Sequence, residues 1–219
     1  MNRMKTVLRK MFAWMFEPRA LVVDVGQNGQ KELDKGLKAY NDGRFADAVS
    51  LFRKAAEKGH PVAEHMLGVC CYDGDGVERN DAEAAKWFRK AAEQGFAKAQ
   101  YMFGDFLESG RGGLEQDCAE AEKWYRLAAD QGLDQAQNSL GWFYCNGLGV
   151  KKDPVEAVKW YRLAADQGLD EAQYNLGVAY LEGSGVEKDR VEAAKWFRMA
   201  ADQGMEDAAK MMKMNGLAT

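Results

Sequence analysis

The sequence predicts an all-α protein, an α/α solenoid superhelix of helix-turn-helix repeats. The first observation is the motif Lys-Trp-aromatic-Arg, which occurs four times at intervals of 37, 36 and 36 residues. The second is that each copy lies in an apolar pattern of helical period, bounded by helix start and stop signals. Self-similarity with a period of about 20–50 residues is typical of repeat architectures, so it decides the fold class. The repeated tryptophans are Trp87, Trp124, Trp160 and Trp196.

The second helix of each unit is predicted from its spacing and its ends. Apolar residues recur at i, i+3, i+4, i+7 and i+8, which places them on one buried face. Every such helix begins after an Asn or Asp with Glu three residues later, and we expect reciprocal capping bonds between the two. These pairs are Asn80/Glu83, Asp117/Glu120, Asp153/Glu156 and Asp189/Glu192. The glycines at the left-handed position that ends each helix are Gly95, Gly132, Gly168 and Gly204.

The first helix of each unit is predicted to pack closely on its neighbours. In the last unit Ala172, Leu176 and Tyr180 repeat every four residues, and Gly177 permits close approach of another helix. A Gly-x-Gly-Val turn joins the two helices of three units, whereas the unit at 96–132 has a longer glycine-rich loop at 110–114. That loop lacks the Gly-Lys-Ser/Thr of a phosphate-binding loop, so we interpret it as an insertion rather than an anion site.

Two further segments extend the predicted solenoid. Residues 29–59 resemble a shorter unit, and residues 205–214 match only a first helix, as a C-terminal cap would. The predicted organisation is an N-terminal amphipathic segment with a linker, residues 1–28, followed by the solenoid, residues 29–219. The predicted units are 29–59, 60–95, 96–132, 133–168, 169–204 and the cap 205–219.

The combined pattern A-x-x-x-L-G-x-x-Y-x-x-G-x-G-V, then D-x-x-x-A-x-x-W-[FY]-x-x-A-A-x-x-G, resembles the Sel-one-like repeat family, a relative of the tetratricopeptide repeats. The unit at 29–59 is more similar to a standard tetratricopeptide repeat. The resemblance implies a right-handed superhelix with a concave face. It also implies a function in protein–protein interaction, often as an adaptor or regulator, without implying a particular partner.

The most variable columns of the first helices predict the partner-binding surface. They lie opposite the Ala/Leu face, and the resemblance implies that this stripe lines the concave groove. Aromatic side chains beside polar groups are typical binding anchors. The predicted contact residues are His65, Val69, Tyr72, Tyr101, Asp105, Glu108, Asn138, Trp142, Tyr174, Val178 and Leu181.

Alternatives stay open for this stripe. Asp105 and Glu108 either form an acidic patch that suits a basic residue of the partner or are ordinary solvated charges. Trp142 either contacts the partner or packs against adjacent first helices. The four repeated tryptophans occupy a fixed column, so we expect them in the core.

Composition and motifs argue against other classes of function. The chain is 47% hydrophobic with a formal charge of −4, which does not favour nucleic-acid binding. No nucleophile elbow, kinase loop or Rossmann motif occurs, and His65, Cys70 and Cys71 match no standard zinc spacing, so we predict no catalysis, metal or cofactor. No cysteine column recurs, which favours a reducing, cytoplasmic compartment. No run of about 18 apolar residues occurs, so no membrane-spanning helix is expected.

Residues 1–16 stand apart because they combine basic residues with an apolar helical face. Residues 1–30 carry a net charge of +3, whereas residues 31–219 carry −7. This polarity is typical of a helix at a membrane surface, but a cap on the first repeat and a targeting signal remain open interpretations.

The sequence therefore favours a non-enzymatic adaptor or regulator that binds a protein or peptide in the groove. The alternatives are a membrane-surface scaffold anchored by residues 1–16 and an immunity protein that binds a toxin. A β-lactam-type hydrolase is the least favoured.

Overall fold

The computed structural model describes residues 28–217, which form eleven α-helices and no strand. The strongest contacts join consecutive helices, first within a unit and then between units, as the predicted solenoid requires. The helices are α1 (Gln30–Asn41), α2 (Phe45–Ala56), α3 (Pro61–Asp73), α4 (Asp81–Glu93), α5 (Ala97–Ser109), α6 (Cys118–Asp130), α7 (Asp134–Asn146), α8 (Pro154–Asp166), α9 (Asp170–Glu182), α10 (Arg190–Asp202) and α11 (Glu206–Met214).

The all-α solenoid is confirmed, with α3, α5, α7 and α9 as first helices and α4, α6, α8 and α10 as second helices. Helices α1 and α2 form the shorter N-terminal unit, and α11 follows the last unit as a single helix. Predictions for residues 1–27 lie outside the described residues. Within residues 28–217, no helix has the length and apolar character needed to cross a membrane.

The predicted N-caps of the second helices are confirmed for the Asn or Asp and wrong for the Glu. The Asp117 side chain accepts a hydrogen bond from the Glu120 N–H at 2.9 Å. The Glu120 carboxylate, however, pairs with Lys123 at 2.8 Å. The Asp117 N–H instead donates to the carbonyl of Leu107 in α5, at 2.9 Å. The end of the preceding first helix offers this carbonyl, so the Glu is not needed as an acceptor.

Close approach at the first-helix glycines is confirmed. A Cβ atom on Gly141 would lie 2.5 Å from the Tyr161 ring, and one on Gly68 would lie 2.6 Å from the Phe88 ring. These aromatic residues come directly after the repeated tryptophans and are buried. Each unit is therefore held together by an aromatic ring seated on a glycine of the first helix.

The tryptophan prediction needs correction, because the four repeated tryptophans are only partly buried. They pack against the core from its edge. The Arg126 guanidinium of one second helix lies over the Trp160 ring of the next, 5.8 Å from its centroid. Trp160 thus lies at the seam between α6 and α8, while the next residue, Tyr161, fills the core.

A ladder of glutamine side chains joins consecutive units, and the sequence interpretation missed it. The Gln131 side chain donates to the Gly95 carbonyl at 3.0 Å and to the Gln100 side-chain oxygen at 2.7 Å. Gln100 in turn donates to the Ala92 carbonyl at 3.3 Å. The next two units repeat this arrangement. The unit at 60–95 has the buried Glu64 where the three following units have glutamine. Burial raises the pKa of the Glu64 carboxyl.

Candidate partner-binding groove

The predicted stripe forms one continuous surface across the first helices. Asn175 of α9 donates to the Asn138 side-chain oxygen of α7 at 3.0 Å. Tyr101 of α5 hydrogen-bonds Ser139 of α7, and burial raises its pKa to about 12. Each bond joins one predicted contact residue, Asn138 or Tyr101, to a residue of the neighbouring first helix. A partner segment that crosses the units would therefore meet the stripe residues of successive first helices in turn.

Three of the predicted contact residues are buried, and their predicted exposure is wrong. His65 lies between the rings of Phe88 and Phe96, with centroid distances of 5.5 and 5.1 Å. Burial lowers its pKa to about 3, with a smaller contribution from Lys98, so His65 is a neutral core residue. Val69 belongs to the central core cluster. Leu181 is buried in the C-terminal cluster, which it shares with Phe197 of α10 and Met212 of α11.

The other predicted contact residues remain accessible. Trp142 is 50% exposed, which makes it the large apolar side chain that stands out from the stripe. The residues that are partly buried are Tyr72, Tyr101, Asp105, Glu108, Asn138, Tyr174 and Val178. The Tyr174 ring lies 5.6 Å from the Phe197 ring, so it supports the core as well as the stripe.

The acidic residues Asp105 and Glu108, in the unit at 96–132, have partners within the chain. The Tyr125 hydroxyl donates to Glu108 at 2.6 Å. Asp105 lies 3.7 Å from the Arg111 guanidinium. Burial raises the pKa of Asp105, and Arg111 opposes that rise. Neither carboxylate is therefore a simple solvated charge.

The glycine-rich loop at 110–114 adds to this surface an arginine that the sequence-based stripe did not include. Its three glycines have positive φ, from 64° to 77°. Arg111 lies between Gly110 and Gly112, and its side chain donates a hydrogen bond to the hydroxyl of Tyr72 in the preceding unit, 60–95, at 2.7 Å. The signal available in the sequence was the extra residue of this loop, which is absent from the other three turns.

The arrangement offers apolar anchors and hydrogen-bonding groups on neighbouring first helices. Among residues 28–217, no group of three or more His, Cys, Asp or Glu side chains is placed to hold a metal ion. The cysteines Cys70 and Cys71 are buried, Cys118 and Cys145 are partly buried, and all four are free. Helical repeats that present aromatic and amide side chains in register define a repeat-based binding module.

The sequence profile described as Sel1 repeat matches this chain five times, over residues 35–205. The chain belongs to the Sel1 repeat family, whose members are generally protein-interaction modules. The first match falls on the N-terminal unit that we compared with a standard tetratricopeptide repeat, so this unit also matches the Sel1 repeat. The matched segments are 35–60, 61–96, 97–133, 134–169 and 170–205.

Two solved structures are similar over most of this chain. A Sel1 repeat protein from Oxalobacter formigenes is 35% identical with a TM-score of 0.81, and the match covers 91% of this chain and 82% of that one. A protective antigen of uropathogenic Escherichia coli is 37% identical with a TM-score of 0.78. That match covers 87% of this chain and 42% of the antigen.

Among curated relatives, an exopolysaccharide production negative regulator of Rhizobium leguminosarum bv. viciae is 43% identical over 58 residues. The match spans 26% of this chain and 22% of the regulator, so it compares a part of each protein. An immunity protein of Pseudomonas aeruginosa shares the fold, with 23% identity and a TM-score of 0.54 over 83% of this chain and 72% of that one.

Proposed function

We propose that this protein is a non-enzymatic adaptor or regulator that binds a segment of a protein partner along the stripe of first helices. The half-exposed indole of Trp142 carries the proposal. A large aromatic side chain held on a preformed helix offers contact area at a low entropic cost, which is typical of interface hot spots. Sel1 repeat proteins generally bind protein partners, which supports this interpretation.

The neighbours of Trp142 define the proposed contact surface. Asn138 and Asn175 lie on adjoining helices with an amide bond between them, and each retains further donor or acceptor capacity for a partner's backbone. Tyr101, Tyr174 and Val178 complete the surface with partly buried aromatic and apolar area. The groups suit an extended segment that places one apolar side chain on Trp142 and offers backbone groups to the two amides.

The test compares two equally exposed apolar residues. Trp142 lies on a first helix, and Leu163, which is 49% exposed, lies on the second helix α8. Trp142→Ala is expected to weaken partner binding about 30-fold, the loss of a typical hot spot, while Leu163→Ala retains it. The wild type and both variants are used for affinity capture from the native cell lysate, and captured proteins are titrated against each variant.

A partner bound equally by the wild type and Trp142→Ala would refute the proposed surface. Selective loss with Leu163→Ala would instead move the interface to the second helices. Matching melting curves for the three proteins exclude a folding defect as the cause.

Two further functions are supported by particular observations. The fold shared with an immunity protein supports toxin binding, which would give a toxin as the captured partner.

The +3 charge of residues 1–30 supports a membrane-surface scaffold. Of these residues, the structure describes only 28–30. The test is flotation of the full chain with anionic vesicles, with and without the substitutions Arg9→Glu and Lys10→Glu, which should abolish flotation if the scaffold is correct. The cytoplasmic location and the absence of catalysis belong to the proposal too, and nitrocefin turnover would contradict the latter.

A further inference from the structure

The guanidinium of Arg111 sits in a site built from an aromatic wall and a carboxylate. It donates to the Tyr72 hydroxyl at 2.7 Å and faces Asp105 at 3.7 Å. Its central carbon is 5.4 Å from the centroid of the Tyr72 ring and 5.4 Å from that of the Phe106 ring. The two rings meet edge to face, with centroids 5.7 Å apart. A planar cation on aromatic faces, with a hydroxyl acceptor and a carboxylate, is the arrangement that recognises arginine rather than lysine.

The backbone that carries Arg111 is held independently of its side chain. A Cβ on Gly112 would lie 2.6 Å from the Asp81 carbonyl, so the loop is seated on the start of α4. The Arg111 N–H donates to the Phe106 carbonyl at 2.9 Å. The side chain can therefore rotate away without moving the loop. The Arg111 and Asp105 side chains are 33% and 40% exposed, and an ion pair this open to water contributes little to stability.

The site is continuous with the proposed groove. Asp105 in α5 occupies the same repeat column as Trp142 in α7. Adjacent packed helices are about 8–10 Å apart, a distance that an extended chain covers in about three residues. The solenoid of residues 31–219 carries a net charge of −7, which favours a basic partner.

We propose that Tyr72, Asp105 and Phe106 form a receptor for an arginine side chain of the partner. In the unbound protein the Arg111 side chain occupies this receptor as an internal competitor, and it leaves the receptor when the partner binds. The proposal rests on the groove proposed above and adds the chemistry of its ligand, a segment with an arginine about three residues from the apolar residue that docks on Trp142.

The experiment uses full-length protein and N-acetyl-arginine amide as the probe, with N-acetyl-lysine amide as the control ligand. Binding is followed by chemical-shift changes in ¹H–¹⁵N NMR spectra. Arg111→Ala is expected to bind the arginine probe at least about tenfold more tightly than the wild type, because the internal competitor is gone. The lysine probe should bind about tenfold more weakly than the arginine probe, since an ammonium lacks the planar fork.

Two variants separate the receptor from general electrostatics. Asp105→Asn added to Arg111→Ala should abolish binding of the arginine probe. Arg79→Ala is the matched control, because Arg79 also lies over the Tyr72 ring, at 5.3 Å, but pairs with Asp81 instead. This variant should behave as the wild type does. Should Arg111→Ala melt far below the wild type, Arg111→Gln, which keeps a donor for Tyr72, takes its place.

Failure of Arg111→Ala to bind the arginine probe would overturn the receptor, as would equal binding of arginine and lysine. The probe is too small to span to Trp142, so adding Trp142→Ala should leave its affinity unchanged. Partner capture that Trp142→Ala leaves unchanged, with probe binding intact, would therefore refute the groove alone. Partner capture that depends on Trp142, without binding of the arginine probe to Arg111→Ala, would refute the receptor alone.

Discussion

The single glutamate in the glutamine ladder predicts a gain of stability on substitution. Glu64 is only 5% exposed and occupies the position of Gln100, Gln137 and Gln173 in the following units. It accepts a bond from Gln94 at 2.5 Å, but as a carboxylate it cannot donate to the Ala56 carbonyl as its counterparts do to theirs. Glu64→Gln supplies that donor and removes a buried charge, so we expect the free energy of unfolding at neutral pH to rise by about 1 kcal/mol.

The pH dependence of this gain follows from the raised pKa of Glu64. The unfolded glutamate, with a pKa of about 4.3, loses its proton more readily than the folded one. The free energy of unfolding therefore falls as the pH rises above about 4.3. Wild type and Glu64→Gln should therefore converge at pH values below about 4, where the carboxyl is protonated in both states. Urea unfolding followed by circular dichroism, at neutral and acidic pH, measures both values.

The matched control is Gln100→Glu, which places the same charge one unit further along. It should lower the free energy of unfolding by about 1–3 kcal/mol at neutral pH, because it also removes the donor to Ala92. A neutral or destabilising Glu64→Gln would refute the reasoning. It would mean that the Gln94 bond to the charged carboxylate outweighs the cost of burying that charge.

Two other predictions concern the core. Gly141→Ala should destabilise the protein by about 1–3 kcal/mol in urea unfolding, because its Cβ would lie 2.5 Å from the Tyr161 ring, whereas helix propensity alone would stabilise it by about 1 kcal/mol. A gain would contradict the close packing. For His65, whose pKa is about 3 in the folded chain, stability should fall by up to about 1.4 kcal/mol per pH unit as pH drops below the unfolded value of about 6.5. His65→Phe should remove that contribution, and an unchanged acid slope would contradict a neutral buried imidazole.

Much of the fold could be predicted because its signals are local and occur four times over. The caps at Asp117 and its equivalents depend on four consecutive residues, and the helix-ending glycines depend on one backbone conformation. The close-packing role of Gly141 was predictable because the glycine recurs in a fixed register with an aromatic residue of the second helix. Repetition replaced the comparison with homologues that such inferences usually need.

The errors arose where a column's position does not reveal its neighbours. His65 and Val69 share columns with accessible residues of other units, yet the core of the first two units covers them. Leu181 is buried because it belongs to the apolar cluster that residues of α10 and α11 complete at the C-terminal end. A periodic pattern states which direction a side chain takes, but burial depends on the size of the side chains opposite it.

The sequence by itself determined the repeat, the helices, their ends and the stripe on which Trp142 lies, because period and capping are properties of the chain. Only the tertiary structure decided which stripe residues are accessible and which charges are paired. Asp105 and Glu108 look like a free acidic patch until the folded chain brings Arg111 and Tyr125 to them. The contact from Arg111 to Tyr72 joins residues 39 positions apart, and its existence depends on the path of one glycine-rich loop that no local pattern specifies.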